Sequence, residues 1–305
     1  MPKNLLSDFD LTGDEVVEVL DLSERIKLRP DKYGDALDGR TLIMLFELPS
    51  LRTRISFEAG MTQLRGHAIF YGVPSGDFTR SETLEDGIKV LSRYGDCIMV
   101  RVLKQEAMER IGAAATIPII NGMTERYHPC QNLADLLTIH EKKGRLEGLS
   151  IAYVGDGGCN TANSTMIGCA SVGMDVTVVC PDKPKYSPDP EIVAKVKERS
   201  GKVITISHDP SEGVEGVDVI YTDVWVSAGM DEERAERMKT FQPYQVNTEL
   251  VSHAEPDCII MHCLPAHRGL ELTSEVMDSK KSVVFDQAEN RMHVQKGLLF
   301  WLMKK

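Results

Sequence analysis

The sequence has no excess of positive charge, no cysteine pair at metal-binding spacing, no long apolar run and few aromatic residues. Lys and Arg number 35 against 46 Asp and Glu, a formal net charge of −11. Such a chain repels nucleic acid and anionic membrane surfaces, so neither is expected as a partner. Any anionic ligand has to be gripped by a local cluster of donors. No stretch approaches the roughly 20 apolar residues that cross a bilayer. The start, Met1-Pro2-Lys3-Asn4-Leu5-Leu6-Ser7-Asp8, lacks the apolar core of a secretion signal, and a cytosolic protein is expected. The 7 cysteines are scattered and include no C-x-x-C pair. An odd count without a signal argues against a disulfide framework and against a zinc ribbon. No solenoid-period repeat and no low-complexity tract are present.

What is there is enough apolar material for a large core. The 305 residues are 42% hydrophobic, more than one average domain needs. Short apolar runs recur at 41–46, 68–71, 97–102 and 117–120, then at 151–154, 176–180, 203–206, 217–221, 258–261 and 283–285. Most are rich in Val and Ile without strict alternation, as suits strands covered on both faces of a parallel sheet. Intervening segments such as 56–66, 84–94, 132–143 and 189–200 carry the apolar spacing of amphipathic helices. The alternation predicts an α/β fold: two doubly wound domains, each around a central parallel sheet, joined by interdomain helices. Lys142-Lys143-Gly144-Arg145 closes a helix begun near Gln131, and a strand starts at Ser150. The expected domains are therefore 1–144 and 145–289. A C-terminal helix, 290–305, carries Leu298, Leu299 and Leu302 and packs back on the first domain.

Five segments carry residues suited to chemistry. Ser50-Leu51-Arg52-Thr53-Arg54 follows a strand and opens a helix, so hydroxyls, guanidinium groups and free backbone N–H groups converge there. That is a phosphate grip, or an N-cap serine beside two solvated arginines. In Tyr127-His128-Pro129-Cys130-Gln131, His128 and Gln131 can both donate to a carbonyl oxygen; a histidine that merely caps a helix is the plainer reading. Arg101 ends an apolar run, where ligands of open α/β sheets gather. Asp223 and Ser227, just past another strand, suit an ammonium group, although a solvated loop aspartate is the plainer outcome. Cys263, after the strand 258–261, is a nucleophile, a metal ligand or an amine contact. The contact is favoured, because no second metal-donor pair is evident and His262 should point to the opposite side. Gly155-Asp156-Gly157-Gly158 resembles a dinucleotide loop but fails G-x-G-x-x-G, since Ala162 and Asn163 stand where glycine is needed. It fits a tight turn with Asn160 beyond it. A nicotinamide-dependent oxidoreductase remains the reading from another class.

Taken in order, these segments resemble the aspartate/ornithine carbamoyltransferase family, in its ornithine-using branch. Carrying the likeness are Ser50 to Arg54 with Phe57-Glu58, His128-Pro129-Cys130-Gln131, Thr222-Asp223-Val224-Trp225, Met261-His262-Cys263-Leu264-Pro265-Ala266-His267-Arg268-Gly269 and Asp286-Gln287-Ala288-Glu289-Asn290-Arg291. The resemblance implies carbamoyl transfer from carbamoyl phosphate to L-ornithine without metal or organic cofactor, by a homotrimer or an assembly of trimers. It implies that the first domain binds carbamoyl phosphate through Ser50, Leu51, Arg52, Thr53, Arg101, His128, Gln131 and Arg291. Cys263 and Leu264 also meet that substrate at the reacting centre, with Arg101, His128 and Cys263 as the catalytic groups. Asn160, Asp223, Ser227 and Ala228 hold ornithine. Two departures stand out. Leu51 replaces the family's usual threonine, and Ala228 replaces a methionine, which leaves putrescine or an acylated ornithine as alternative acceptors. A contact that relatives take from a neighbouring subunit's glutamine is not carried over to Asp77.

Overall fold

The computed structural model describes residues 3–73, 82–227 and 230–304. The chain divides into two compact units, one formed by Met1–Leu137 with Glu289–Lys305 and the other by Thr138–Ala288.

The first unit begins with α1 (Gly13–Leu28), whose start is fixed by a capping box between Thr12 and Glu15. The Thr12-x-x-Glu15 pattern announces this helix, although it was not among the helices expected above. After α2 (Pro30–Tyr33), strands and helices alternate as β1 (Thr41–Phe46), α3 (Leu51–Gln63), β2 (His67–Gly72), α4 (Leu84–Leu91), β3 (Cys97–Arg101), α5 (Gln105–Ala114), β4 (Ile119–Met123) and α6 (Pro129–Lys143). The four strands are parallel in the order β2-β1-β3-β4. Ile43, Leu45, Ile98, Val100 and Ile119 of the sheet pack with Ile88 of α4 and Met108 and Ile111 of α5 in one buried cluster. Each such side chain contributes roughly 1.5–3 kcal/mol on leaving water. The exception is β2, at the sheet edge, where Ile69, Phe70 and Tyr71 stay exposed. Its apolar run therefore does not mark a strand covered on both faces.

The second unit runs β5 (Ser150–Val154), α7 (Asn160–Ser171), β6 (Asp175–Val179), α8 (Pro190–Ser200), β7 (Thr205–Ser207), α9 (Pro210–Gly213), β8 (Val219–Thr222), α10 (Arg234–Phe241), α11 (Thr248–Val251), β9 (Ile259–His262) and α12 (Ser274–Met277). Its parallel order is β7-β6-β5-β8-β9. The turn after β5 needs glycine, because a Cβ at Gly157 would lie 2.9 Å from the Tyr186 carbonyl oxygen and 2.9 Å from Val178 Cγ1. The last helix, α13 (Val284–Met303), overturns the strand expected from the run 283–285. Only Ser282 bridges to Ile260, Val284 is buried and Phe285 is exposed. Three apolar residues are too few for periodicity to separate strand from helix. The chain passes between the units within α6 and again within α13.

Each sheet reverses its winding at one place, between β1 and β3 in the first and between β5 and β8 in the second. Open α/β sheets expose a crevice at the carboxyl ends of the strands flanking such a switch. The segments that follow β1, β3, β5 and β8 contain Ser50, Arg101, Gly155 to Asn160, and Asp223.

Candidate active site

In the first unit, Ser50 is the N-cap of α3. Its Oγ accepts the Thr53 amide at 3.3 Å and donates to Thr53 Oγ1 at 3.0 Å. Ser50 is thus the N-cap serine, and capping holds both hydroxyls at the positive end of the helix, where an anion is also favoured. Arg101 ends β3 opposite Phe46, the last residue of β1. Arg291 on α13 donates to Gln131 Oε1 at 2.6 Å and to Thr53 Oγ1 at 3.2 Å. Gln131 in turn donates to Asp135 at 2.8 Å. The structure thus gathers Ser50, Thr53, Gln131 and Arg291 from three separate stretches of chain.

His128 precedes α6, and its carbonyl accepts the amides of Gln131 at 2.9 Å and Asn132 at 3.2 Å. Burial pushes its pKa well below the ordinary imidazole value, and the Arg291 and Arg101 guanidinium groups push it the same way. The ring is neutral and keeps one N–H donor. Two arginines beside a neutral buried imidazole make a donor set suited to a phosphate dianion next to a polarised carbonyl. Arg54 takes no part in this cluster, because it pairs with Glu58 at 2.9 Å and lies 3.7 Å over the Phe70 ring. Leu51, at the first position of α3, is 72% exposed. Arg52 is half-buried on the same turn.

In the second unit, Asp223 is the meeting point. One carboxylate oxygen accepts from Cys263 Sγ at 3.0 Å and from the Val224 amide at 2.7 Å; the other accepts from Thr161 Oγ1 at 2.9 Å. Asn160 opens α7, beside Thr161. Thr161 was missed from the sequence, although its place on the first turn after the glycine loop is the available signal. Ser227 is half-buried, and its carbonyl accepts the Met230 amide at 3.1 Å. Ala228 lies outside the described residues, as does Asp77. Leu264 takes φ +56°, in the left-handed region.

Donor atoms of Asp223, His262 and Cys263 lie within 4.8 Å of one another, a potential metal cluster that was not evident in the sequence. The ring nitrogens of His262 are engaged elsewhere, Nδ1 with the Leu264 amide at 2.9 Å and Nε2 with Glu271 Oε1 at 3.1 Å. No nitrogen lone pair is left for a metal. The expectation that His262 points to the opposite side does not hold, since its ring lies within 4.8 Å of the Asp223 and Cys263 donor atoms. Beside this cluster, Cys159 caps α7 and meets the Tyr153 hydroxyl at 3.0 Å. Its thiol is pushed up to about 12 by burial, with Asp156 and Asp223 adding to the effect, so it is no nucleophile.

A family model described as the aspartate/ornithine carbamoyltransferase carbamoyl-P binding domain matches residues 3–141. A second, described as the Asp/Orn binding domain of the same proteins, matches residues 147–302. The chain belongs to the aspartate/ornithine carbamoyltransferase family. It is 50% identical over 306 residues to an ornithine carbamoyltransferase of Carboxydothermus hydrogenoformans, covering 99% of this chain and 97% of that protein. Identity to an anabolic ornithine carbamoyltransferase of Pyrococcus furiosus is 45%, over 99% of this chain and 96% of the other. Among solved structures, the Pyrococcus furiosus ornithine carbamoyltransferase superposes with a TM-score of 0.92 over 98% of this chain and 96% of that one, at 45% identity. The Giardia lamblia ornithine transcarbamoylase gives 0.92 at 34% identity, over 100% of this chain and 99% of its own.

In this member of the family, one further group was not foreseen. Arg237 on α10 is buried, ion-paired to Asp156 on the glycine loop and hydrogen-bonded to the Trp225 carbonyl. It ties the turn after β5 to the turn after β8. An arginine on an otherwise polar helix gives no sequence sign of this.

Proposed function

We propose that this chain transfers the carbamoyl group of carbamoyl phosphate to the δ-amino group of L-ornithine, giving L-citrulline and phosphate in arginine biosynthesis. The observation that carries the reading is the 50% identity to an ornithine carbamoyltransferase across 99% of the chain. The unit containing α3 and α6 takes carbamoyl phosphate, and the unit containing Asp223 takes ornithine, following domain bounds of 1–144 with 290–305, and 145–289.

Ser50, Leu51 through its amide, Arg52, Thr53, Arg101, Gln131 and Arg291 bind the phosphate and carbamoyl oxygens. His128, neutral because it is buried between two arginines, donates to the carbamoyl oxygen. Asn160, Asp223, Ser227 and Ala228 hold the amino acid, and Cys263 and Leu264 line the reacting centre. The δ-amine must arrive unprotonated, since an alkylamine with a pKa of about 10 is mostly ammonium at neutral pH. Its lone pair attacks the carbamoyl carbon, the carbon–oxygen bond to phosphate breaks, and the leaving phosphate takes the amine proton. Arg101 and His128 stabilise the oxyanion as it forms. The chemistry asks for no metal or organic cofactor.

The enzyme works as a cytoplasmic homotrimer or an assembly of trimers. Support comes from the exposed apolar strand β2: Ile69 and Tyr71, with Val90 and Tyr94, line a cavity of about 300 Å³. Apolar surface of that kind is usual where protein chains meet. Among the described residues, no helix is long and apolar enough to cross a membrane. Colorimetric detection of ureido product with carbamoyl phosphate and a panel of amines tests the acceptor. Sedimentation tests the trimer.

A further inference from the structure

His262 ends β9 and is fully buried, as is Glu271. The Leu264 backbone nitrogen, 2.9 Å from His262 Nδ1, can only donate, so Nδ1 accepts and carries no proton. The ring hydrogen therefore sits on Nε2 and is donated to Glu271 Oε1 at 3.1 Å. The same carboxylate oxygen accepts the His267 amide, closing the loop that follows β9. On the other side, the His262 amide donates to Gln287 Oε1 at 2.9 Å. Both ring nitrogens and the amide of His262 are thus engaged with partners other than Asp223.

The turn itself is unusual. Leu264 stands at φ +56°, a conformation that branched residues rarely adopt without support. The Leu264 amide is held in that conformation by the imidazole, and the conformation places the preceding thiol 3.0 Å from Asp223 Oδ1. The carboxylate of Glu271 fixes which ring nitrogen carries the proton, as an outer carboxylate does for histidines in many sites.

We propose that His262 is a positioning residue for the acceptor amine. Held as the Nε2–H tautomer by Glu271, it locks the Cys263-Leu264 turn and so sets the Cys263–Asp223 pair. This rests on the assignment of Asp223 to ornithine and of Cys263 and Leu264 to the reacting centre. A displaced turn weakens acceptor binding more than carbamoyl phosphate binding, most of whose contacts lie on Ser50 to Thr53, Arg101, His128, Gln131 and Arg291, whereas a general loss of packing would weaken both alike.

Four variants of the full-length enzyme separate these roles, each first checked for folding by circular dichroism. His262→Gln can still reach Glu271 but offers nothing at the Nδ1 position. His262→Asn keeps an acceptor for the Leu264 amide. Glu271→Ala removes the partner, and Glu271→Gln restores an acceptor oxygen for Nε2–H. His262→Gln raises the KM for ornithine by about 100-fold, the scale of a small misplacement near reacting atoms, and raises the KM for carbamoyl phosphate far less. His262→Asn loses less. Glu271→Ala shares the loss, and Glu271→Gln recovers most of it. A folded His262→Gln enzyme with an unchanged ornithine KM overturns the inference and leaves the activity standing. Should the unaltered enzyme make no citrulline, the functional reading fails instead. The positioning role is then judged by the rate of Cys263 alkylation by iodoacetamide, read by peptide mass spectrometry. A change of rate in His262→Gln and Glu271→Ala, reversed in Glu271→Gln, supports it, and equal rates in all proteins reject it.

Discussion

Arg291 donates to Gln131 Oε1 at 2.6 Å, joining two side chains 160 residues apart in the sequence. Because the same guanidinium also reaches Thr53 Oγ1, the C-terminal helix braces the starts of α3 and α6. A charge-assisted hydrogen bond contributes about 1.5–3 kcal/mol, equivalent to roughly 10- to 150-fold in binding. Arg291→Ala is therefore expected to raise the KM for carbamoyl phosphate by that factor, with the KM for ornithine at saturating carbamoyl phosphate little changed. Steady-state kinetics on both substrates checks this. An unchanged carbamoyl phosphate KM would remove Arg291 from the site.

Burial, then Arg291 and Arg101, hold the His128 pKa well below its ordinary value. In the unfolded chain the ring titrates near about 6.5, so below that pH the unfolded state takes a proton that the folded state refuses. Stability rises with pH across this window and is lost as pH falls below about 6.5, by up to about 1.4 kcal/mol per unit for each such group. His293 is shifted in the same direction, mainly by burial. His128→Asn should thus lose less stability than the parent between about pH 7.5 and pH 5.5, measured by urea unfolding. Equal losses would mean that the ring takes up its proton as readily in the folded chain as in the unfolded one. The same variant should lower kcat by about 100-fold if the ring stabilises the oxyanion.

Arg237 is 2% exposed and bound to Asp156. Arg237→Ala strands a carboxylate that is itself buried, a change that typically costs about 3–5 kcal/mol. Replacing both partners, as Asp156→Asn with Arg237→Met, should cost less than Arg237→Ala alone. A double-mutant cycle followed by thermal unfolding measures this. Additive losses would show that the two side chains do not interact.

Much of the fold was legible because its signals are local and repeated. Runs of Val and Ile at β1, β3, β5, β8 and β9, alternating with amphipathic stretches, leave few arrangements other than parallel sheets. The errors fall where the signal is short or weak. Val283 to Phe285 carry too few residues to fix a period, Val203 is exposed ahead of β7, and α1 announces itself only through Thr12 and Glu15. The site was legible as separate strings, and Ser50, Thr53, Gln131 and Arg291 do meet. Contacts that join distant strings, such as Thr161 with Asp223 or Arg237 with Asp156, leave no mark in either string alone. Leu264's left-handed backbone likewise cannot be read from a leucine.

Leu51 stands where the family resemblance implies threonine, and its side chain is exposed at the first position of α3. Its backbone N–H remains available, so the missing hydroxyl should matter modestly. Leu51→Thr is expected to lower the KM for carbamoyl phosphate by about 2- to 10-fold, the worth of one ordinary hydrogen bond. A rise in KM instead would mean that the leucine side chain serves the site by excluding water.

The central claim concerns the acceptor, and one assay addresses it most directly. Purified enzyme is given carbamoyl phosphate with L-ornithine, putrescine, N-acetylornithine or aspartate, and ureido product and phosphate are measured together. Citrulline and phosphate should appear in equal amounts with ornithine, at a kcat/KM far above that for the other amines, and Asp223→Asn should depress it. Turnover of putrescine or N-acetylornithine with none of ornithine would contradict the assignment.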